Sequence, residues 1–327
     1  MLDLNKIHLG DSKELLKLVD TESVDCIITS PPYWQLRDYG VDGQIGLEST
    51  VDDYICKLMS VFRECHRVLK SSGTLWIVIG DTYNGDKKGI TDSKLHYIGE
   101  TKINKKSGRY RRKTLLMIPS RLAIAMIDEG WILRNELIWH KPNIMPQSIK
   151  DRFTVDFEKI FFFTKSEKYY FQQLKEPMIT NDMNSPRGSK GAMFQLNKGL
   201  RLLRDYNRTV SAKNMNNIAE NKKIDLAFSE GGMRNKRAVW KISTEKSNVN
   251  HYATFPKKLV QNCMDSGCPR QGIVLDPFSG SGTTAMVAKK SNRNFLGIEL
   301  NQDYFNTSIQ RVHSEHVEYS IYDFIGT

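Results

Sequence analysis

The sequence predicts an α/β fold, a doubly wound and mostly parallel sheet carrying an inserted basic lobe, and three observations predict it. Short apolar runs of strand length alternate with longer stretches whose apolar residues recur at helical intervals. Two turns rich in proline or glycine directly follow such runs: Thr29-Ser30-Pro31-Pro32-Tyr33-Trp34 after 24–28, and Asp276-Pro277-Phe278-Ser279-Gly280-Ser281-Gly282-Thr283-Thr284 after 273–275. In open α/β sheets ligands bind outside the carboxyl ends of the strands, so both turns stand where such a fold does its chemistry. Between them, over 165–246, the regular alternation dissolves into Asn, Lys, Arg, Gly and Ser.

Taken in order, Ile7-His8-Leu9-Gly10-Asp11-Ser12 reads as a short strand and turn, with Ser12 as the cap of a helix through Leu15, Leu16 and Val19. A strand follows over 25–29. Tyr54, Ile55, Leu58, Val61, Phe62, Cys65 and Val68 fall on one face of a helix over 51–69, which Ser71-Ser72-Gly73 stops before a strand over 74–79. Pro119 opens and Gly130 closes the next helix, ahead of strand-like pieces at 131–133, 135–139 and 157–164. Beyond the lobe come a helix over 257–264, a strand over 273–276, a helix over 283–291, a strand over 295–299 and a helix after Asn301. The chain divides accordingly into 1–164, with a basic loop at 84–113, then the lobe 165–246, then 247–327, which rejoins the first part in one domain.

Composition narrows the function. No window approaches the roughly 18 apolar residues of a membrane span, so a cytoplasmic protein without a membrane partner is expected. Five cysteines, none in a CxxC pair, predict reduced thiols and no metal site. The charge of +11 is concentrated. Residues 84–113 hold ten Lys/Arg against three acidic residues, and 181–246 hold fourteen against six, leaving the rest slightly acidic. Two basic segments on an acidic body imply a polyanionic partner such as nucleic acid.

The first turn suits a flat ring bearing an amine. Ser30 offers a hydroxyl acceptor, Pro31 a carbonyl fixed by the following Pro32, and Tyr33 a ring for stacking, with Trp34 nearby. An aryl amine is a poor nucleophile because its lone pair is delocalised into the ring. Accepting hydrogen bonds from both amino hydrogens favours a pyramidal nitrogen and frees that lone pair. A base inside a duplex is out of reach of such a pocket and must be flipped out. The second turn suits a nucleotide-like cofactor: Gly280 and Gly282 allow close backbone approach, and Thr283 begins a helix. Its spacing is neither GxGxxG nor a P-loop with its Lys, which argues against the commoner occupants of such turns. Glu299 follows Asp276 at about the 20-residue offset at which an acidic side chain meets ribose hydroxyls.

Together these motifs resemble the β class of amino-methylating, S-adenosylmethionine-dependent DNA methyltransferases. Ser30, Pro31, Pro32 and Tyr33 resemble the catalytic motif, and 276–284 the cofactor motif, here represented by Asp276, Phe278, Gly280, Gly282 and Thr283. Their order, catalytic motif, basic region, cofactor motif, is that of the β class. Gly10-Asp11 resembles the turn whose acid meets the cofactor adenine. His251-Tyr252-Ala253-Thr254-Phe255-Pro256 resembles the segment lining the methionine end, so Phe255 joins the cofactor set, and Trp139-His140-Lys141-Pro142-Asn143 resembles a stretch beside the target base. The resemblance implies that 165–246 recognises the target in double-stranded DNA, through residues such as Arg187, Arg201, Arg204, Arg234 or Arg237. It implies a prokaryotic or phage restriction-modification enzyme, and admits a homodimer and a partner endonuclease. Ser before Pro-Pro-Tyr resembles the cytosine-N4 type; the alternative is adenine N6, where Asp is commoner. Cytosine C5 chemistry needs a nucleophilic Cys, typically in a Pro-Cys pair, and the chain offers only Cys268-Pro269.

Overall fold

A computed structural model describes residues 2–85, 110–177, 233–245 and 255–315. Most of the basic loop and lobe, with Arg187, Arg201 and Arg204, and the stretch 251–254 lie outside the described residues. Two compact units are present, Met1–Gln172 with Ala238–Thr327, and Gln173–Arg237. In the smaller unit β6 (Lys175–Pro177) pairs antiparallel with β7 (Met233–Asn235), and Arg234 forms an ion pair with Glu176 at 2.9 Å.

The larger unit is built on an eight-stranded sheet. Its strands are β1 (Lys6–Leu9), β2 (Val24–Thr29), β3 (Leu69–Ile79), β4 (Ile132–His140), β5 (Phe157–Thr164), β8 (Val239–Lys241), β9 (Ile273–Asp276) and β10 (Asn294–Glu299), in the order β1-β10-β9-β2-β3-β5-β4-β8. Among the described strands of this sheet, only β5 runs antiparallel to its neighbours. The helices are α1 (Ser12–Leu16), α2 (Val51–Val68), α3 (Ile118–Asp128), α4 (Lys257–Gly267), α5 (Thr283–Lys290) and α6 (Gln302–Ser314). Among the described residues no helix is long and apolar enough to cross a membrane.

Alternation along the strands divides the interior into two cores. From β3 and β5, Leu75, Ile77, Phe161 and Phe163 join Tyr54, Leu58 and Phe62 of α2 on one face. Trp76, Val78, Ile160 and Phe162 join Leu259 and Cys263 of α4 on the other. The consecutive phenylalanines of β5 are therefore all buried, as expected of a strand covered on both faces. Trp76 and Phe162 stack at 4.2 Å.

Three local expectations are corrected. Ser71-Ser72-Gly73 does not stop α2; it lies inside β3, beside a register shift in β2 between Val24 and Cys26, where a side chain on Gly73 would lie 2.6 Å from Leu69. The two strand pieces after α3 are one strand, β4, irregular between Leu133 and Asn135, and Trp131 precedes it. Asp11, not Ser12, caps α1: its Oδ1 accepts the Lys13 and Glu14 amides at 2.7 and 3.3 Å, because a cap must precede the first helical residue.

Sheet order fixes the position of the site. From β2 the chain passes through α2 to β3 on one side, and from β9 through α5 to β10 on the other, so β2 and β9 are the adjacent strands from which successive connections diverge. They pair in parallel, Cys26 with Val274 and Ile27 with Leu275. This is the switch point of a doubly wound sheet, where a crevice opens at the carboxyl edge.

Candidate active site

Both turns leave that edge side by side. Consecutive prolines cannot donate to the sheet ladder, so β2 ends at Thr29. The emerging turn is held from α2 by the Tyr54 hydroxyl, which donates to the Pro32 carbonyl at 2.6 Å. The second turn is tethered by Ser12, whose hydroxyl donates to the Pro277 carbonyl. Gly280 and Gly282 adopt φ of +53° and +80°, the left-handed region that favours glycine, and, its chain neighbours aside, no atom of the described residues lies within 4 Å of a Cβ built on Gly280.

The turns enclose one cavity of about 510 Å³, within the range of small-molecule sites. Ser30, Pro31, Pro32 and Tyr33 form one wall; Phe278, Gly280, Thr283 and Glu299 form another; Asp11 and Phe255 also line it. Trp139, Lys141 and Glu158 close the end beside Tyr33. Asp276 and Gly282 stand behind the wall. A side chain on Gly282 would lie 3.0 Å from Ser308, so this glycine brings the start of α5 against α6. Trp34 turns away from the cavity into the core, its indole N–H donating to the Glu48 carbonyl at 2.9 Å, which corrects the expectation of a second ring beside Tyr33. Trp139 is the indole that lines the cavity.

Asp276 ties the turns together. Its Oδ1 accepts from the Thr29 hydroxyl at 2.6 Å and the Phe278 amide at 3.1 Å, and its Oδ2 from the Thr284 hydroxyl at 2.8 Å. Burial nevertheless pushes its carboxyl up to about 6, the three hydrogen bonds opposing the shift. Glu299 accepts from the Gly280 amide at 2.7 Å and the Asn301 amide at 2.8 Å, and burial raises its pKa too. It does not cap α6; Asn301 does, through the Asp303 and Tyr304 amides.

The half-buried Tyr33 is clamped at both ends. Its hydroxyl donates to Glu158 Oε2 at 2.8 Å, and its ring lies so close to Gly80 that a Cβ there would approach Tyr33 Cε2 to 2.7 Å. Burial raises the phenol pKa well above its ordinary value, the Glu158 charge adds to the rise, and the neighbouring Ser30 side chain opposes it. Lys141 donates to Glu158 Oε1 and lies 4.2 Å from the centre of the Trp139 ring.

Glu158 escaped sequence reasoning because its strand was not recognised as antiparallel. Ile79 pairs with Lys159, so the start of β5 lies at the carboxyl edge of its neighbours, with Glu158 facing Gly80. A charge at the start of the apolar run 157–164 was the available signal. The loop after Trp34 also escaped notice: Arg37, Tyr39, Gln44 and Ile45 line the cavity, and Tyr39 meets Tyr304 edge-on at 5.7 Å.

The cofactor half offers polar groups in the right places for a nucleoside bearing an amino acid. Among the described residues, the buried Ser279 and Thr283 hydroxyls have no hydrogen-bond partner, and Thr283 lines the cavity at the start of α5. A helix start supplies amide donors and positive potential for a carboxylate. Glu299 and Asp11 supply acceptors for hydroxyls or an amine.

Comparisons with known proteins agree with this architecture. The N6/N4 family model described as DNA methylase matches residues 24–310. The chain is 36% identical over 318 residues to Type II methyltransferase M.Cfr9I of Citrobacter freundii, covering 96% of this chain and 90% of that protein. It is 36% identical over 320 residues to Type II methyltransferase M.SmaI of Serratia marcescens, covering 94% and 90%. Among solved structures, PvuII DNA methyltransferase (cytosine-N4-specific) shares the fold with a TM-score of 0.58 at 20% identity, over 93% of this chain and 85% of that one. The M1.HpyAVI–SAM complex shares it with a TM-score of 0.53 at 18% identity, over 94% and 98%. The chain belongs to the N6/N4 DNA methylase family.

Proposed function

We propose that the protein methylates the exocyclic N4 amine of a cytosine flipped out of duplex DNA, with S-adenosylmethionine as methyl donor, at a specific site and as the modification partner of a restriction endonuclease. One observation carries the reading: the Ser30 turn and the Gly280 turn open into a single cavity at the junction of β2 and β9. The printed names of the relatives, Type II methyltransferases, support the restriction-modification setting. Ser30, rather than Asp, before Pro-Pro-Tyr supports cytosine, and the fold relative named cytosine-N4-specific is consistent with it.

When bound, S-adenosylmethionine supplies a methyl group on a sulfonium, an electrophile that needs no metal or covalent enzyme intermediate. The protein supplies geometry. Glu299 holds the ribose hydroxyls, Asp11 the adenine amine, and Thr283 with the α5 amides the carboxylate. Ser30 Oγ and the Pro31 carbonyl accept the two hydrogens of the target amine and direct its lone pair toward the cofactor half. Tyr33 and Trp139 give the extruded base apolar surfaces in place of its stack. Pre-formed walls leave little ordering to be done when the base arrives.

The test is Ser30→Ala, assayed by transfer of labelled methyl to DNA, with nucleoside digestion identifying the product. Removing one hydrogen bond from the reacting amine should slow transfer about 10- to 100-fold while cofactor affinity holds. Turnover at the wild-type rate would refute the role of Ser30, and N6-methyladenine among the nucleosides would replace cytosine with adenine.

A further inference from the structure

We infer that Phe153 is a wedge that enters the DNA stack at the place the target base leaves, which makes the loop over 142–156 part of the duplex interface. The inference rests on the reading of the cavity as the site of an extruded base, and it names the group that fills the gap.

Both stems of this loop stand at the cavity. Lys141 and Glu158 line it beside Tyr33 and join in an ion pair. Just outside them the Lys141 amide donates to the Asp156 carbonyl at 2.7 Å, and His140 Nε2 lies 3.3 Å from the Asp156 carboxylate. Phe153 is five residues from Glu158, a path of at most about 18 Å even when fully extended. One duplex can therefore deliver a base to the cavity and meet this ring.

Phe153 is 96% exposed, and Met145 on the same loop is 85% exposed. Single exposed apolar residues are ordinary; a ring kept in solvent by an anchored backbone needs a reason. The two residues before it are tied down, Asp151 by an ion pair with Lys113 and Arg152 by its guanidinium, 3.8 Å from the centre of the Tyr83 ring. At the other end of the loop Asn143 exchanges bonds with Thr244, its Nδ2 donating to the carbonyl at 3.1 Å and its Oδ1 accepting the amide at 2.9 Å. Thr244 itself lines the cavity.

Charge selects nucleic acid as the occupant. Lys113 ends the basic segment 84–113, and Lys150 and Arg152 add cations on the loop itself, so phosphates drawn to this side bring the stack to the ring. Extruding a base breaks its stacking on both faces. A flat apolar side chain inserted between base steps replaces part of that contact, a use to which proteins put Phe and Met. Tyr33 and Trp139 hold the base that has left, and Phe153 occupies the position it left.

Phe153→Ala tests the inference. Because the ring is outside the core, thermal midpoint and S-adenosylmethionine affinity should be unchanged. With the site first mapped by sequencing methylated DNA, single-turnover transfer is measured on a fully paired duplex and on one whose target base faces an abasic position. On the paired duplex transfer should fall about 10- to 100-fold, the range set by loss of one aromatic–base stack. On the other duplex, where no pair has to be broken, the loss should shrink to within about threefold, and Phe153→Trp should restore transfer on both. Wild-type transfer by F153A on the paired duplex overturns the inference, and so does an equal loss on both duplexes, which marks an ordinary DNA contact. A wild-type dimer that F153A dissolves in sedimentation would assign the ring to a second copy of the chain and overturn it as well. If S30A is as active as wild type, the pocket reading itself falls and takes the inference with it; if S30A is impaired while F153A behaves as wild type, only the inference falls.

Discussion

Gly80→Ala is the sharpest probe of how the catalytic wall is built. The added methyl carbon would lie 2.7 Å from Tyr33 Cε2, 3.3 Å from Cδ2 and 3.5 Å from Glu158 Oε1. The first of these distances is shorter than any carbon pair tolerates, so the ring must move. It cannot slide along its own axis, because Pro31 and Pro32 stiffen one end and Glu158 holds the hydroxyl at the other. The remaining route is into the cavity, and it breaks the bond to Glu158. Overpacking costs about 1–3 kcal/mol of stability. A hydrogen bond to a charged group contributes about 1.5–3 kcal/mol, which at about 1.4 kcal/mol per tenfold slows transfer roughly 10- to 100-fold if the clamp aligns the reacting amine. The cofactor half, formed by Gly280, Thr283 and Glu299, is untouched, so S-adenosylmethionine affinity by calorimetry should stay within about twofold, well under 1.4 kcal/mol. Single-turnover transfer and thermal melting complete the assay. A variant that transfers methyl at the wild-type rate would refute the clamp, and cofactor affinity falling in step with rate would show general damage.

Two further outcomes bear on the other wall. Glu299→Ala should weaken S-adenosylmethionine binding about 10- to 100-fold, as expected for hydrogen bonds to a charged acceptor; an unaltered dissociation constant in calorimetry would remove the ribose contact. Asp276, with a folded pKa of about 6 against an ordinary 3.8, keeps a proton between about pH 4 and 6 that the unfolded chain has released. Its contribution to stability therefore falls as pH rises through that window, by on the order of 2–3 kcal/mol in all, and is most favourable below it. Urea titrations of wild type and D276N between pH 7 and 4 should show wild type gaining on the variant as pH falls, and a constant difference would contradict the shift.

The parts legible in the sequence were those with local causes. The Pro-Pro step after 24–29 and the glycines at 280 and 282 announce their turns by backbone chemistry alone, and the apolar spacing of 51–69 gives α2 to within a residue. What escaped depends on partners distant in sequence. Gly73 reads as a stop because glycine usually punctuates, yet it lies in a strand beside Asp25 and Leu69, where a side chain has no space. Trp34 resembles a pocket aromatic by its position after Tyr33, but the chain turns there and the indole meets the Glu48 carbonyl. Glu158 acquires its place only once β5 is known to run against its neighbours.

Asp276 shows why the two walls behave as one piece. A carboxylate buried in a strand end is costly unless donors surround it, and the donors here come from both turns. Thr29 directly precedes Ser30, Thr284 directly follows Thr283, and one side chain accepts from both hydroxyls. Moving the catalytic turn away from the cofactor turn would strip the carboxylate of a donor and expose the full cost of its burial. On the proposed function, the alignment of amine and methyl donor thus rests on a residue that does not line the cavity. The glycines beyond it let the cofactor turn fold back far enough for Glu299 to hold the Gly280 amide, which closes the same wall from its other end.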